Sequence, residues 1–249
     1  MSFRLLEPDR GIILSEANST NTLLKGKEYP PGTWVLAEFQ SAGRGRKGRT
    51  WSILGEEPFI FSGKFRSTEA VSSPSLFSLF IGTAVLKTIL NVYPSVSKRE
   101  AKIKWPNDIY IDGKKVCGIL IETEKEGNDW DWIVGIGINL FGKEVPDYLT
   151  EAGFVTGDPS EQGRRKKFLE ALLPNLNDSA LALSDGEDRI KFINERLLWK
   201  GESISWNENG SQQTGTLLGI NEEGKLLVRT PVGNTIEFID SPEDFKSLG

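Results

Sequence analysis

The feature that most constrains this chain is a glycine-rich basic segment that follows a predicted strand. Positions 43–49 read Gly-Arg-Gly-Arg-Lys-Gly-Arg, four cations and three glycines in a 249-residue chain of net charge −5. Glycine permits positive φ and close backbone approach to a ligand, and arginine donates planar pairs of hydrogen bonds to phosphate or carboxylate. The preceding residues 33–39 predict a strand, and α/β proteins commonly bind ligands at strand ends. The segment therefore favours a loop that surrounds a small anion over a solvated basic loop.

Two phosphate-binding motifs resemble this loop but are excluded by the residues that follow it. Gly43, Gly45 and Gly48 match G-x-G-x-x-G, and the run to Arg49-Thr50 is one residue short of a Walker A loop. Both motifs require a helix that begins directly after the loop. Residues 52–58 have no helical periodicity and contain a glycine and a proline, so neither motif is assigned.

Composition excludes several classes of function. A hydrophobic content of 38% is enough for a folded core, and a pI near 5.1 argues against a protein that mainly binds nucleic acid. The chain has no histidine, which excludes histidine triads, general bases and metal ligands. A single cysteine and an N-terminus unlike a signal peptide predict a cytoplasmic protein. No apolar run is expected to approach the roughly 18–20 residues of a membrane-spanning helix.

The remaining pattern predicts an α+β chain: a mixed sheet covered by helices in domain 1–200, then a small barrel in domain 201–249. A core helix is expected from Ser73-Pro74 to just before Pro94. Residues 163–198 are predicted to be helical, with Pro174 kinking or splitting the helix. The predicted strands of the sheet and barrel are 11–14, 33–39, 59–66, 101–105, 109–111, 115–122 and 132–139, then 202–206, 214–220, 225–230 and 235–239.

Three further patterns point to a binding site. The polar cluster 18–21 is expected to cap a helix, to grip a polar ligand group, or both. Strand 101–105 alternates cations with apolar residues, so one face is expected to look towards an anion. Gly118, Gly135 and Gly137 lie inside predicted strands, where glycine weakens the sheet. They either let a flat ligand lie against bare backbone or relieve packing against a tryptophan. Cys117 is predicted to be a small buried core residue.

This inventory suits a reaction in which the protein positions and neutralises phosphate groups. An acid that attacks the α-phosphate of ATP fits, because the attacking carboxylate is already a nucleophile and needs no general base. Lysine and arginine would relieve the charge repulsion. Asp108 is the natural carboxylate to help hold Mg²⁺, directly or through water.

Several ordered blocks resemble the signature of biotin protein ligases. They are residues 43–51, Lys104-Trp105-Pro106-Asn107-Asp108 and Lys115-Val116-Cys117-Gly118-Ile119-Leu120, together with Ser19-Thr20-Asn21, Gln40 and 135–139 in the expected order. The resemblance covers roughly residues 11–140. It implies a biotin/lipoate ligase catalytic domain of class II synthetase-like fold, followed by a small SH3-like barrel.

The resemblance implies a two-step ligase that uses ATP, Mg²⁺ and biotin. Biotin and ATP would give biotinyl-5′-AMP, and biotin would then pass to a lysine of a biotin carboxyl carrier protein or domain. Lys115 and Arg46 would be catalytic. The implied biotin-binding residues are Ser19, Thr20, Asn21, Gln40, Gly43, Arg44, Gly45, Arg46, Lys115, Gly118 and Gly135. The implied nucleotide-binding residues are Arg46, Lys47, Arg49, Trp51, Lys104, Asn107, Asp108 and Asn139.

Some residues depart from the family pattern, and two other functions stay open. Cys117 stands where alanine is usual, and segment 55–58 differs from the usual turn. The catalytic pattern begins by residue 11, so a monofunctional monomer or homodimer that binds neither DNA nor membrane is expected. A lipoate ligase shares the fold and the acyl-adenylate chemistry, although the loop and the 104–108 block favour biotin. A nucleic-acid-binding module would show affinity that falls steeply with salt, and the net charge disfavours it.

Overall fold

An eight-stranded mixed β-sheet forms the larger part of the described chain. The computed structural model describes residues 3–70, 73–184 and 186–249. The strands of this sheet are β1 (Phe3–Arg4), β2 (Gly11–Ala17), β3 (Trp34–Gln40), β4 (Glu57–Ser67), β5 (Ala101–Lys104), β6 (Asp108–Ile111), β7 (Lys114–Glu126) and β8 (Asp129–Phe141). They lie in the order β2-β3-β4-β8-β7-β6-β5, and β1 pairs with β4 outside that path. Strands β2 and β3 are parallel and the other pairs are antiparallel, so the predicted mixed sheet is confirmed.

One row of directly paired residues crosses six strands of this sheet and brings two glycines side by side. Residues directly opposite each other on neighbouring strands point to the same face of a sheet. The row consists of Leu14, Ala37, Ile60, Gly137, Gly118 and Asp108. Two adjacent glycines therefore leave bare backbone between an isoleucine and an aspartate on one face.

Helices pack on both faces of the sheet. The α-helices are α1 (Thr20–Leu24), α2 (Pro74–Val92), α3 (Arg165–Leu181) and α4 (Glu187–Arg196). Helix α1 lies on the face that carries the paired glycines, where Asn21 approaches Gly135, and α2 covers the opposite face. Helix α2 begins as predicted, because the Ser73 hydroxyl accepts a hydrogen bond from the Leu76 amide at 3.2 Å and Pro74 needs no partner there. Its apolar side chains join those of Phe59, Phe61 and other residues of the covered face in one core cluster. Cys117 lies fully buried in this cluster, as predicted, and burial raises the pKa of its thiol.

Helix α2 corrects the expectation that no apolar run approaches spanning length. Among the described residues it is the one helix with the length and composition to cross a membrane, with a mean hydropathy of 1.6. However, 72% of that window is buried inside the protein, which is typical of a core helix. Two of its hydroxyl groups are satisfied within the helix: Thr83 Oγ1 donates to Leu79 O at 3.1 Å, and Thr88 Oγ1 donates to Ala84 O at 2.8 Å. The buried Ser78 hydroxyl has no hydrogen-bond partner among the described residues.

Of the two outcomes predicted for Pro174, a kink or a split, the split is wrong, because α3 runs through this residue. Proline removes one backbone hydrogen bond, but Leu172, Leu173 and Leu176 are buried on both sides of it and hold the helix in the core. The division between α3 and α4 instead follows a short 3₁₀ turn at Ala182–Ser184.

A five-stranded antiparallel sheet follows the helices. Its strands are β9 (Ser203–Glu208), β10 (Ser211–Ile220), β11 (Leu226–Arg229), β12 (Thr235–Phe238) and β13 (Glu243–Ser247), in the order β12-β11-β10-β9-β13. The sequence prediction missed β13, because its charged residues lack the alternation typical of a strand. It forms through long-range pairing with β9.

Two hairpins frame strand β7. Asp112 and Gly113 both have positive φ, at 49° and 72°, and they form a two-residue turn between β6 and β7, in the gap between the predicted strands 109–111 and 115–122. The next two strands are longer than the predicted 115–122 and 132–139, because β7 extends to Glu126 and β8 begins at Asp129. Cross-strand packing accounts for the extension, since Lys125 Nζ lies 5.6 Å from the ring centroid of its partner Trp130.

We expect Gly82→Ala in α2 to stabilise the fold. A Cβ atom there would meet Ile119 Cδ1 at 3.6 Å, an ordinary contact, while alanine lowers the entropy cost of a helix interior by about 0.5–1 kcal/mol. The free energy of unfolding, measured in urea, should rise by that amount.

Gly215→Ala is the matched control for this measurement. A Cβ there would lie 2.7 Å from the backbone oxygen of Arg229, so this variant should be destabilised. A destabilised Gly82→Ala would show that α2 packs closer to β7 than this structure has it.

Candidate active site

A cavity of about 280 Å³ lies between the glycine-arginine loop and the glycine-bearing face of the sheet. The described residues that line it come from α1, the loop, strands β3 to β8 and the C-terminal sheet. Sixteen of the eighteen residues predicted for the site line it: Ser19, Thr20, Asn21, Gln40, Arg44, Gly45, Arg46, Lys47, Arg49, Trp51, Lys104, Asn107, Asp108, Lys115, Gly118 and Gly135.

The two other predicted residues lie outside the lining. Gly43 supports the base of the loop, where a Cβ would lie 2.8 Å from Trp51 O. Asn139 is buried, and its Nδ2 donates to Gly153 O at 3.1 Å. Their roles in binding stay predictions.

The glycine-arginine loop, residues 43–51, is closed by its own backbone. The Gly45 amide donates to Arg49 O at 2.7 Å, and the Trp51 amide donates to Gly43 O at 3.0 Å. A short 3₁₀ turn at its tip carries positive φ at Lys47, 55°, and at Gly48, 73°. These contacts hold the basic residues of the loop in a compact turn beside the sheet.

The indole of Trp51 lies against the two glycines of the paired row. A Cβ at Gly118 would be 2.8 Å from Trp51 Cζ3, and one at Gly137 would be 2.4 Å from Trp51 Cε2. The bare backbone therefore accommodates a flat group, and in this structure that group is a side chain of the loop itself. Gly135 allows a second side chain to approach the sheet closely, since a Cβ there would lie only 2.3 Å from Asn21 Oδ1.

A hydrogen-bonded polar network forms one end of the cavity. Gln40 Oε1 accepts from the Thr20 amide at 2.7 Å and from Thr20 Oγ1 at 3.0 Å. Ser62 Oγ lies 2.8 Å from Thr20 Oγ1 and 2.6 Å from Asn21 Oδ1. Ser19 caps α1 by accepting from the Thr22 amide at 3.4 Å, so the capping prediction for this cluster is confirmed. The network fixes the orientation of donors and acceptors around a polar ligand.

Glu122 completes this network and was missed by the sequence analysis. Its carboxylate accepts from Asn21 Nδ2 at 2.9 Å and pairs with Lys25 at 2.9 Å and Arg44 at 2.8 Å. Burial raises the pKa of Glu122, but these hydrogen bonds and cations outweigh burial and hold it below its usual value. Its position on β7, four residues after Gly118 and therefore on the same face, was the available signal.

Cations and one carboxylate occupy the other end. Lys115 Nζ lies 2.6 Å from Asp108 Oδ2 and 5.7 Å from the Trp51 ring centroid. Asp108 Oδ1 is buried and has no hydrogen-bond partner among the described residues. Lys104 Nζ lies 4.5 Å from the Trp199 ring centroid, and burial lowers the pKa of its amine. This end can receive a negatively charged group.

Arg46 spans the cavity mouth. Its Nη1 donates to Asn107 Oδ1 at 3.2 Å, and the Asn107 side chain is itself held because its Nδ2 donates to Ile119 O at 2.7 Å. Its Nη2 contacts Asp240 of the C-terminal sheet. Residues 241–245 also line the cavity. This wall was not predicted, because no sequence motif marks a contact between residues so far apart in the chain.

A family model matches half of the chain. The Biotin/lipoate A/B protein ligase family model matches residues 13–139. The bifunctional ligase/repressor BirA of Escherichia coli (strain K12) is 30% identical over 223 residues, which cover 87% of this chain and 68% of that protein. The biotin--[acetyl-CoA-carboxylase] ligase of Paracoccus denitrificans is 31% identical over 241 residues, which cover 90% of this chain and 96% of that protein.

Solved structures agree with the sequence comparison. The biotin protein ligase from Aquifex aeolicus in complex with biotin and ATP superposes with a TM-score of 0.77 at 28% sequence identity. The match covers 96% of this chain and 99% of that one, so it includes both sheets.

We expect Gly137→Ala to displace the Trp51 indole, because the new methyl group would overlap it. The Trp51 contribution can be isolated by subtracting the fluorescence of a Trp51→Phe variant made in the same background. In Gly137→Ala this difference spectrum should shift to the red and become more accessible to acrylamide. Gly82→Ala, which lies on the covered face, should leave the Trp51 component unchanged. An unaltered difference spectrum in Gly137→Ala would contradict the packing of the indole on Gly137.

Proposed function

This chain belongs to the biotin protein ligases of the Biotin/lipoate A/B protein ligase family, and from that membership we propose how its cavity activates and transfers biotin. The observation that carries the proposal is one cavity with a fixed polar network at one end and a cluster of cations at the other. The uncharged ring of biotin matches the polar end. Its carboxylate tail and the phosphates of the nucleotide match the cationic end.

In the first step, a carboxylate oxygen of biotin attacks the α-phosphorus of ATP. The bond from that phosphorus to the pyrophosphate oxygen breaks, which gives biotinyl-5′-AMP and pyrophosphate. The carboxylate is already ionised, so the protein's task is to bring two anions together. We assign this task to Lys115, whose Nζ is oriented by Asp108 at 2.6 Å, and to the loop cation Arg46.

We assign the polar end to the ureido ring of biotin. Ser19, Thr20, Asn21 and Gln40 would supply its hydrogen bonds, and buried polar groups aligned in advance discriminate strongly against a ring that lacks matching groups. Gly118 and Gly135 would allow close approach, with Gly43, Arg44 and Gly45 closing the loop above. The residues that we assign to the nucleotide are Arg46, Lys47, Arg49, Trp51, Lys104, Asn107, Asp108 and Asn139.

The Mg²⁺ ion that accompanies ATP fits this site only if the phosphates of ATP also coordinate it. The described residues contain no group of three acidic, cysteine or histidine side chains that could hold a metal ion by themselves. Asp108 Oδ1, a buried acceptor without a partner among those residues, is the atom that would contact the ion. The ion would add positive charge beside the transferring phosphate, as Lys115 does.

In the second step, the ε-amine of a carrier lysine attacks the acyl carbon of biotinyl-5′-AMP. The new amide bond replaces the acyl–phosphate bond, AMP leaves, and the amine loses its proton to solvent. The relative from Paracoccus denitrificans is named for acetyl-CoA carboxylase. We therefore propose a biotin carboxyl carrier protein or domain of a biotin-dependent carboxylase as the partner.

Pyrophosphate exchange tests this proposal and separates it from lipoate activation. Radiolabelled pyrophosphate should enter ATP when biotin is added, and not when lipoate is added. Exchange with lipoate alone would assign the cavity to the other acid. Exchange with neither acid would exclude the activation step.

We expect Lys115→Ala to lower the rate of biotin-dependent pyrophosphate exchange by about 10²–10³-fold, as the removal of one preorganised charge stabiliser typically does. Lys102→Ala is the matched control, because Lys102 lies on β5, two strands away from β7, and outside the cavity lining. Its exchange rate should equal that of the unsubstituted protein. A folded Lys115→Ala with normal exchange would show that the charge acts elsewhere.

We expect Arg46→Gly to form biotinyl-5′-AMP but release it. Loss of a charge-assisted hydrogen bond costs about 1.5–3 kcal/mol, which is roughly 10- to 150-fold in affinity. The added glycine also loosens the loop. Free adenylate is a mixed anhydride that any lysine can attack, so a bystander protein without a carrier domain should become biotinylated. Equal bystander labelling by Arg46→Gly and the unsubstituted protein would contradict a retaining role for Arg46.

A further inference from the structure

A contact outside every sequence motif joins the glycine-arginine loop to the C-terminal sheet. Asp240, two residues after β12, receives Arg46 Nη2 on its Oδ1 and lies 3.6 Å from Lys47 Nζ through its Oδ2. Lys47 Nζ also donates to Ser241 O at 2.6 Å. Two consecutive cations of the loop are thus held by two consecutive residues of the segment that joins β12 to β13.

The segment that carries Asp240 is anchored independently of the loop. The Ser75 hydroxyl, at the start of α2, donates to Ile239 O at 2.9 Å. Elsewhere in the same sheet, Trp105 Nε1 donates to Gly224 O at 2.9 Å, and Asn194 Nδ2 donates to Ile220 O at 3.1 Å. These contacts fix the sheet to the catalytic part of the chain, so Asp240 is a stationary point against which the loop can be held.

The Asp240 carboxylate is itself oriented towards the loop. Its Oδ1 accepts from the Ser241 amide at 2.7 Å, and this bond limits rotation of the side chain. Burial raises its pKa, but Arg46, the Ser241 amide and Lys47 together lower the pKa below its usual value. The group therefore remains an anion at neutral pH. The side chain is 52% exposed, so each ion pair contributes modestly, and the effect depends on the two cations acting together.

We propose that Asp240 is a positioning residue that latches the glycine-arginine loop over the cavity through Arg46 and Lys47. With the latch made, the loop stays against the sheet and Trp51 stays on its two glycines. Without it, the tip of the loop is free to leave the cavity. Residues 241–245 line the same cavity, so the latch also keeps that wall next to the loop.

The role of the latch in turnover rests on the proposed function. A closed loop retains biotinyl-5′-AMP until the carrier lysine arrives, so the C-terminal sheet would act in turnover without touching biotin. The closure of the loop itself needs no ligand and can be measured alone.

Limited trypsin digestion of the ligand-free protein tests the latch. Trypsin cleaves after the cations at 44, 46, 47 and 49, and it needs an opened loop to do so. Asp240→Asn keeps the shape and the bond from the Ser241 amide but removes the charge. Cleavage within 43–51 should become about three- to tenfold faster, the range expected for two partly exposed ion pairs.

Glu237→Gln is the matched control, because it removes one carboxylate from β12 that pairs with Lys225 and not with the loop. Its cleavage rate should equal that of the unsubstituted protein. Unchanged cleavage of a folded Asp240→Asn would overturn the proposal.

The salt dependence of cleavage provides a second measurement, in which each protein at low salt is its own reference. If the latch is ionic, raising the salt concentration from low to about 0.5 M should speed cleavage of the loop in the unsubstituted protein by screening it. The same change should have a smaller effect in Asp240→Asn. Equal salt dependence in the two proteins would overturn the proposal. Both experiments omit biotin and ATP, so their results stand even if pyrophosphate exchange disproves the proposed reaction.

The latch also predicts a functional difference. Asp240→Asn should release preformed biotinyl-5′-AMP about three- to tenfold faster than the unsubstituted protein, and Asp240→Glu should restore part of the retention. Faster tryptic cleavage together with unchanged release would limit the latch to the ligand-free protein and overturn its role in retention.

Discussion

The site depends on the pairing register of the central strands. Because Gly118 on β7 is directly opposite Gly137 on β8, the two missing side chains coincide and leave one flat area of backbone. Asp108 and Ile60 bound that area in the same row. A shift by one residue in either pairing would place core side chains on this face and separate the glycines. Loop, indole and cations are all arranged around this single feature.

The glycine-arginine loop is held on three sides by contacts of different kinds. Trp51 packs it on the sheet, Arg44 pairs with Glu122 at the polar end, and Arg46 and Lys47 reach the C-terminal sheet. Together they place four cations around a small volume in a chain of negative net charge. Such a loop can close over a phosphate and release it again.

The sequence predicted what depends on local chemistry and missed what depends on distant partners. The loop, the Ser73 cap and the strand glycines carry their own signals, because turn geometry, capping and the absence of a side chain are local properties. Glu122 and Asp240 act through loop partners 78 and 194 residues away in sequence, which no local pattern encodes. The same reason explains the continuous helix through Pro174, where tertiary packing decides the outcome.

The central claim is that one cavity beneath the loop receives both biotin and the nucleotide. Hydrogen–deuterium exchange of the backbone amides, measured with and without biotin plus ATP, tests its location directly. We expect protection in residues 43–51 and in the facing segments 115–119 and 135–138, with little change in β10 and β11, which contribute no residue to the cavity lining. Protection confined to other parts of the chain, or no protection although biotin and ATP bind, would contradict it.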